Sequence, residues 1–218
     1  AYLSSVRGRP EAVSEADLEQ LIALYDANLV YADTAADGVL NALSAAGRLD
    51  DSVLLVTSDH GEAFFEHGAE SHNSTVYDEM LQVPFILRLP PGMAEVKIGL
   101  DRLVTLADIV PTLLAAASLQ PDMVLDGINL LAGPQPTRDS DERTFAAKTA
   151  HSRPTRCLRS TRWKVVFSNS GSGELYDLEN DPHELRDLSG APDHRARMDR
   201  MREGALAWWR DSGGGKLD

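Results

Sequence analysis

The sequence predicts an α/β protein in which a mostly parallel sheet with flanking helices is followed by a small antiparallel sheet and a helix. Helical and strand-like patterns alternate between residues 14 and 117, which is the rhythm of a parallel α/β sheet. The apolar run at 53–56 does not alternate with polar residues, which is typical of a strand buried on both faces. The composition changes at about residue 132, where apolar periodicity gives way to Pro, Asp and Arg.

A long helix is the first predicted element. Ser14 and Asp17 have capping-box spacing, and apolar residues then recur at intervals of three and four. Gly47 predicts its end, because glycine accepts the left-handed conformation found after many helices. The apolar stripe comprises Leu18, Leu21, Tyr25, Leu29, Ala32, Ala36, Val39, Leu40 and Leu43.

Shorter elements follow this helix. Two strands and a short helix are predicted at 52–57, 85–89 and 75–81. Thr105 and Asp108 again have capping-box spacing, and the helix that they begin is kinked or restarted at Pro111. These elements form one predicted α/β part of the chain over residues 1–132.

Residues 133–218 form a predicted small α+β subdomain. A Pro-, Asp- and Arg-rich linker opens it, and three strand-like pieces follow between residues 156 and 181. A helix is predicted from about Pro192 to Trp209.

The charge and cysteine content limit the function classes. A formal net charge of −13 argues against nucleic acid as a partner, because the basic footprint is missing. An anionic substrate would therefore need local positive charge or a metal. No stretch reaches the length of a membrane span, and the single cysteine, Cys157, excludes an intrachain disulfide framework. Localisation is left open.

Asp59 and His60 are the first candidate functional residues. They follow the predicted strand directly, at the sheet edge where α/β proteins bind ligands. An adjacent carboxylate and imidazole can both reach one cation where the chain turns sharply, as Gly61 permits. The alternative is that Ser58 and Asp59 merely cap a turn after the strand.

Two further histidines lie nearby in the sequence. His67 and His72 are spaced too widely for one helical turn, so each either binds an anionic substrate as a cation or lies on the surface.

Several motifs in order resemble the sulfatase family of the alkaline phosphatase-like superfamily. "VLLVTSDHGEAFFEHG" and "HNSTVYDEMLQVPFILRLP" resemble the second half of its catalytic domain. "LVTLADIVPTLLAAASLQPDMVLDGINLL" resembles the sequence after its catalytic core, and "RSTRWKVVF" and "ELYDLENDPHELRDLS" resemble its C-terminal subdomain. The resemblance covers nearly the whole chain and implies the C-terminal part of such a protein.

The resemblance also implies roles. Asp59 and His60 would bind the catalytic divalent cation, with Ca²⁺ expected first and Mn²⁺ or Mg²⁺ as alternatives. His72 would contact the sulfate or phosphate oxygens, as a catalytic and substrate-binding residue. For His67 the resemblance implies a role only weakly, since that position is not a usual metal ligand. The family nucleophile, a formylglycine made within a C/S-x-P-x-R motif, has no counterpart before Asp59.

A later match to that motif is interpreted as a chance occurrence. "SRPTR", residues 152–156, lies well after Asp59 and leads directly into the small predicted sheet. Cys157 beside it is interpreted as a small buried hydrophobic residue rather than a nucleophile. The arginines between residues 195 and 202 are interpreted as a solvated helix face.

The resemblance therefore implies part of a metal-dependent sulfatase that acts on a sulfated small molecule or carbohydrate and is inactive as this segment alone. Whether the chain forms a homo-oligomer is left open. A phosphonate monoester or phosphodiester hydrolase of the same superfamily is one alternative. A binding or assembly module without chemistry is another.

Overall fold

The computed structural model describes residues 12–72, 75–93, 103–133, 145–148, 155–168 and 173–211. Within these ranges the helices are α1 (Glu15–Ala45), α2 (Asp78–Leu81), α3 (Ile109–Ala116) and α4 (Arg195–Asp211). The strands are β1 (Leu54–Thr57), β2 (Ala63–Phe64), β3 (Glu70–Ser71), β4 (Phe85–Arg88), β5 (Phe145–Lys148), β6 (Thr155–Arg159), β7 (Trp163–Ser168) and β8 (Gly173–Asp177). Short 3₁₀ helices lie at Pro91–Met93, Leu106–Asp108 and Pro192–His194. Within the described ranges, none of the helices combines the length and apolar character of a transmembrane span.

The ends of α1 are those that local sequence signals predict. The Ser14 hydroxyl accepts the Asp17 N–H at 3.2 Å, and the Asp17 carboxylate accepts the Ser14 N–H at 3.3 Å. Gly47 has a φ of 64° and donates its N–H to the Ser44 carbonyl at 2.9 Å, which ends the helix. No residue of α1 is buried, and within the described residues most of its apolar stripe is exposed, with Leu18, Leu21 and Leu43 half-buried.

Strands β1 and β4 form an antiparallel pair, with Val56 opposite Ile86. The α/β class is confirmed, but a parallel neighbour for β1 is not found among the described strands. The link between the strands carries the β2–β3 hairpin and the single turn of α2 instead of the long crossover helix that parallel pairing usually requires. The apolar run predicted burial on both faces of β1. In the described residues, however, Val56 and Ile86 are 53 % and 61 % exposed, so one face of the pair is open.

The small antiparallel sheet is confirmed, with strand order β5-β6-β7-β8. It has one strand more than the three predicted. Helix α4 packs against one face, and Cys157 is buried in the core of the other, as the sequence predicts. The core beside α4 contains Leu158, Trp163, Val165, Phe167, Leu175 and Ala205. The guanidinium carbon of Arg197 lies 4.2 Å from the centre of the Trp163 ring, so this arginine of the α4 face takes part in packing.

The described part of "SRPTR" is structural. Thr155 and Arg156 belong to β6 and pair with Ser168 and Phe167 of β7, and Arg156 is buried. The first three residues of the motif lie outside the described residues.

Two compact units divide the chain. The described residues of 12–72 and 82–93 belong to the first, and those of 75–81 and 103–211 belong to the second. The sequence boundary near residue 132 stays a prediction.

A buried group of charges lies in the second unit. Lys164 has no solvent exposure, and its Nζ lies 2.8 Å from both Asp78 Oδ1 and Glu184 Oε1. The Arg159 guanidinium also contacts the Asp78 carboxylate, at 2.9–3.2 Å. Glu184 Oε2 accepts the Asp78 N–H at 2.6 Å, which caps α2. Two positive and two negative side chains therefore compensate one another within the core.

These contacts shift the pKa values of the two acids in opposite directions. Burial acts to raise the pKa of Asp78, but the hydrogen bond from Arg159 and the charge of Lys164 outweigh it and lower that pKa. Burial dominates at Glu184, whose pKa is raised although Lys164 opposes the shift.

We expect opposite outcomes from alanine at two glycines. A Cβ on Gly127 would lie 1.9 Å from the Ala107 carbonyl oxygen, whereas a Cβ on Gly38 in α1 meets nothing within 4 Å. Gly127→Ala should lower the free energy of unfolding by about 2 kcal/mol or more, through forced backbone displacement. Gly38→Ala should raise it by about 0.5–1 kcal/mol, through helix propensity. Urea titrations measure both, and equal effects would contradict the close approach at Gly127.

Lys164→Met should lower the free energy of unfolding by about 3–5 kcal/mol, because it leaves the buried Glu184 carboxylate without a cation and leaves Asp78 with Arg159 alone. Arg48→Met is the matched control, since the Arg48–Asp51 pair is about 70 % exposed and its loss should be hardly measurable. Chemical denaturation of both variants gives the comparison, and a Lys164→Met effect no larger than the control would refute the role of the buried group.

The lowered pKa of Asp78 predicts a loss of stability in acid. The unfolded chain takes up the proton near the ordinary aspartate pKa of about 3.9, while the folded protein takes it up only at lower pH. Stability from Asp78 is therefore present above that range and decreases as the pH falls through it. Asp78→Asn should flatten the decrease in the free energy of unfolding between about pH 5 and pH 2.5, measured by urea titration at each pH. An unchanged slope would show that Asp78 contributes none of it.

Candidate functional site

The loop after β1 places Asp59 and His60 side by side. The Asp59 carboxylate accepts the His60 N–H at 3.1 Å, and the Ser58 hydroxyl donates to the His60 carbonyl at 2.7 Å. Asp59 is 88 % exposed at its side chain. The chain makes this turn without a positive φ at Gly61, so the glycine is not needed in the way the sequence suggested.

The imidazole of His60 has one nitrogen committed to the backbone. Its Nδ1 lies 2.8 Å from the Gly61 carbonyl oxygen, which can only accept a hydrogen bond, so Nδ1 carries the proton. In the neutral ring, Nε2 then holds the lone pair that a metal requires. His60 Nε2 lies 3.8 Å from Asp59 Oδ1, so a carboxylate oxygen and a ligand nitrogen face the same space.

The β2–β3 hairpin brings a distant histidine back to this loop. Ala63 pairs with Ser71, and Phe64 pairs with Glu70. The turn between them is tight, since Phe65 and Gly68 have φ values of 71° and 72°. The register therefore sets residue 62 opposite residue 72, one step beyond the last ladder pair. An edge-to-face contact between Phe64 and Tyr25 of α1, with ring centres 5.3 Å apart, holds the hairpin against the helix.

His72 packs between His60 and Glu62. The two imidazole rings stack with centres 4.7 Å apart and an angle of 24° between their planes. His72 Nδ1 lies 3.2 Å from Glu62 Oε2. His72 remains 45 % exposed and Glu62 24 % exposed at the side chain, so the cluster is open to solvent on one side.

The structure therefore brings two of the predicted site residues, His60 and His72, into contact, with Asp59 adjacent in the loop. His67 lies on the hairpin turn and is not among the groups whose ligand atoms converge here. Glu62 is the residue that sequence reasoning missed. Its place in the cluster follows from the pairing register of β2 and β3, and this register is known only from the structure of the hairpin. The roles of Asp59, His60 and His72 stay predictions.

Solved structures with the same fold define the class of protein. A putative sulfatase from Bacteroides thetaiotaomicron VPI-5482 matches with a TM-score of 0.80 and 25 % identity, over 92 % of this chain and 45 % of that one. The phosphonate monoester hydrolase of Agrobacterium radiobacter matches with a TM-score of 0.72 and 27 % identity, over 89 % of this chain and 42 % of that one. The fold is that of the alkaline phosphatase-like α/β proteins.

Family models identify the group within this class. The sulfatase model matches residues 2–119, and a model of the C-terminal region of N-sulphoglucosamine sulphohydrolase matches residues 66–208. The chain belongs to the sulfatase family.

Individual relatives match over only part of their own length. The uncharacterized sulfatase YidJ of Escherichia coli K12 is 32 % identical over 173 residues, which are 76 % of this chain and 33 % of YidJ. A delta 4,5-hexuronate-2-O-sulfatase of Bacteroides thetaiotaomicron is 30 % identical over 179 residues, which are 75 % of this chain and 37 % of that enzyme. The chain thus spans little more than a third of the curated relatives that it matches.

Proposed function

We propose that this chain is the C-terminal part of a metal-dependent sulfatase that hydrolyses sulfate esters. The observation that carries the proposal is the stacking of His72 on His60 beside Asp59, at the end of β1, in a chain of the sulfatase family. Asp59 and His60 are the proposed metal ligands, and His72 is the proposed contact to the transferring group.

The donor groups suit a divalent cation. Asp59 offers a carboxylate oxygen, and His60 offers an imidazole nitrogen whose proton is held on the opposite side of the ring. The 3.8 Å between these two atoms is short enough for both to bind one ion. We propose Ca²⁺ first, because the sulfatase family favours it, and Mn²⁺ or Mg²⁺ as alternatives, since all three accept carboxylate ligands.

The mechanism follows from where positive charge is needed. A bound cation supplies Lewis acidity to the sulfuryl oxygens. Asp59 and His60, which follow β1, would hold such an ion. His72, packed flat against His60, presents its imidazole beside the same space and stabilises negative charge as it develops on the transferring oxygens. These residues bind and orient the ester, but none of them is the nucleophile.

The nucleophile and the remaining ligands belong, in this proposal, to sequence outside the 218 residues. We propose a formylglycine there, by analogy with the family, and a division near residue 132 between the catalytic part and the small subdomain. The segment alone would then bind the cation weakly and turn over no sulfate ester. A sulfated carbohydrate is the proposed substrate class, supported by the relative described as a hexuronate-2-O-sulfatase.

A phosphonate monoester hydrolase is the second candidate. It is supported by the solved hydrolase of that kind, which matches at 27 % identity. The same cation and His72 would serve a phosphonyl group, so the choice depends on substrate assays.

The protein encoded with its full upstream sequence should lose activity when His72 is replaced. His72→Ala should lower kcat on an aryl sulfate by about 10²–10³-fold, the usual cost of removing one transition-state contact. Steady-state kinetics on aryl sulfate and on a phenylphosphonate ester measure the loss and separate the two candidate functions. His67→Ala is the matched control, a histidine of the same hairpin outside the cluster, and should change kcat less than about threefold.

Two results would count against this proposal. A His72→Ala enzyme as active as the parent would remove His72 from the mechanism. Robust turnover of aryl sulfate by the purified 218-residue chain would refute the assignment of the nucleophile to another segment.

A further inference from the structure

His60, Glu62 and His72 converge as three potential metal ligands. Each offers one ligand atom, and these atoms all lie within 4.8 Å of one another. Among the residues that the structure describes, this is the group of three His, Cys, Asp or Glu residues whose ligand atoms converge. All three come from residues 60–72, and the hairpin register places Glu62 across from His72.

The donor set differs from that of the proposed catalytic cation. Two imidazoles and one carboxylate are the ligands of many zinc sites, with a fourth position left open to solvent. Ca²⁺ instead takes six to eight oxygen ligands. Among divalent first-row metals, such nitrogen-containing sites bind Cu²⁺ and Zn²⁺ more tightly than Mn²⁺.

The spacing between two of the three ligands suits a tetrahedral ion. Two ligands on a zinc ion with bonds of about 2.0–2.1 Å lie about 3.3 Å apart. His72 Nδ1 and Glu62 Oε2 are 3.2 Å apart, so an ion in place of their shared proton needs little movement of either group. The third ligand comes from His60, whose ring is stacked on His72 with the ring centres 4.7 Å apart. A ring nitrogen binds a metal in the plane of its ring, so His60 rotates out of the stack when it binds the same ion.

We propose that His60, Glu62 and His72 form a transition-metal site of the Zn²⁺ type that inhibits the enzyme. The inhibitory part rests on the proposed function, because the ion occupies His60 and His72, which the sulfatase reaction would use. The two metal sites share His60 but differ otherwise. Glu62 belongs to the transition-metal site alone, and Asp59 belongs to the proposed Ca²⁺ site alone.

This division gives a test by calorimetric titration of the metal-free 218-residue chain with Zn²⁺ and, separately, with Ca²⁺. Glu62→Gln and His72→Asn should each weaken Zn²⁺ binding by at least about tenfold, because each removes a ligand. Asp59→Asn should keep Zn²⁺ binding within about threefold and weaken Ca²⁺ binding. His67→Asn controls for the loss of a histidine from the same hairpin and should match the parent for both ions.

Cobalt reports the coordination geometry directly. Co²⁺ added to the parent chain should give the intense visible absorption of a tetrahedral site, and this signal should be absent from Glu62→Gln. Inhibition is measured on the protein with its full upstream sequence, as a fraction of each variant's activity without Zn²⁺. The Zn²⁺ concentration that halves the activity should be at least about tenfold higher for Glu62→Gln than for the parent.

The results separate the two proposals. Parent-like Zn²⁺ affinity in both Glu62→Gln and His72→Asn would overturn the transition-metal site, whatever happens with Ca²⁺. Parent-like Ca²⁺ affinity in Asp59→Asn would instead overturn the catalytic-cation assignment and leave the zinc result standing. An octahedral, weakly absorbing Co²⁺ spectrum would also refute the proposed site.

Discussion

The second compact unit depends on the ion pairs of the buried Lys164 ammonium group. Isolated in the core it would cost several kcal/mol, so it persists only because two carboxylates and the hydrogen bonds around them compensate it. Those carboxylates come from separate parts of the chain. Asp78 lies in α2, while Glu184 follows the small sheet and has a left-handed φ of 53°. Such a conformation costs an ordinary residue about 1–3 kcal/mol, and the contacts of Glu184 with Lys164 and with the Asp78 N–H offset that cost.

The candidate site in the first unit depends on a much smaller structural element, the β2–β3 hairpin. Only two residue pairs connect β2 and β3, yet their register decides which side chains meet His60. A hairpin of this size is not stable alone in water, so the contact of Phe64 with Tyr25 on α1 contributes to holding it. The chemistry of the site therefore depends on an aromatic contact that makes none of the proposed ligand bonds.

Signals that lie within a few residues were predictable from the sequence. The capping box at Ser14 and the glycine stop at Gly47 are local, and both ends of α1 agree with them. The 3₁₀ helix Leu106–Asp108 likewise has Thr105 as its N-cap, and the Asp108 carboxylate accepts the Thr105 N–H at 2.9 Å. Helix α3 then starts at Ile109, which makes Pro111 part of a restart rather than a kink.

Features that depend on pairing between distant residues were not predictable from the sequence. The apolar run of β1 indicates a strand but carries no information on whether its neighbour is parallel, and β4 is antiparallel. Glu62 becomes part of the cluster only through the hairpin register. The burial of Lys164 has no local signal, because a lysine is buried only when it is paired and its partners are 86 and 20 residues away.

The capping of α2 has a consequence for the order of folding. The helix has four residues, too few to form alone, and the carboxylate that accepts its first N–H comes from a residue 106 positions later. Because closing so long a loop costs entropy before the contact forms, we expect α2 to become ordered only after β6, β7 and the Glu184 turn have assembled. The exchange rate of the Asp78 amide hydrogen would then follow the opening of the whole small sheet rather than local fraying of one helical turn.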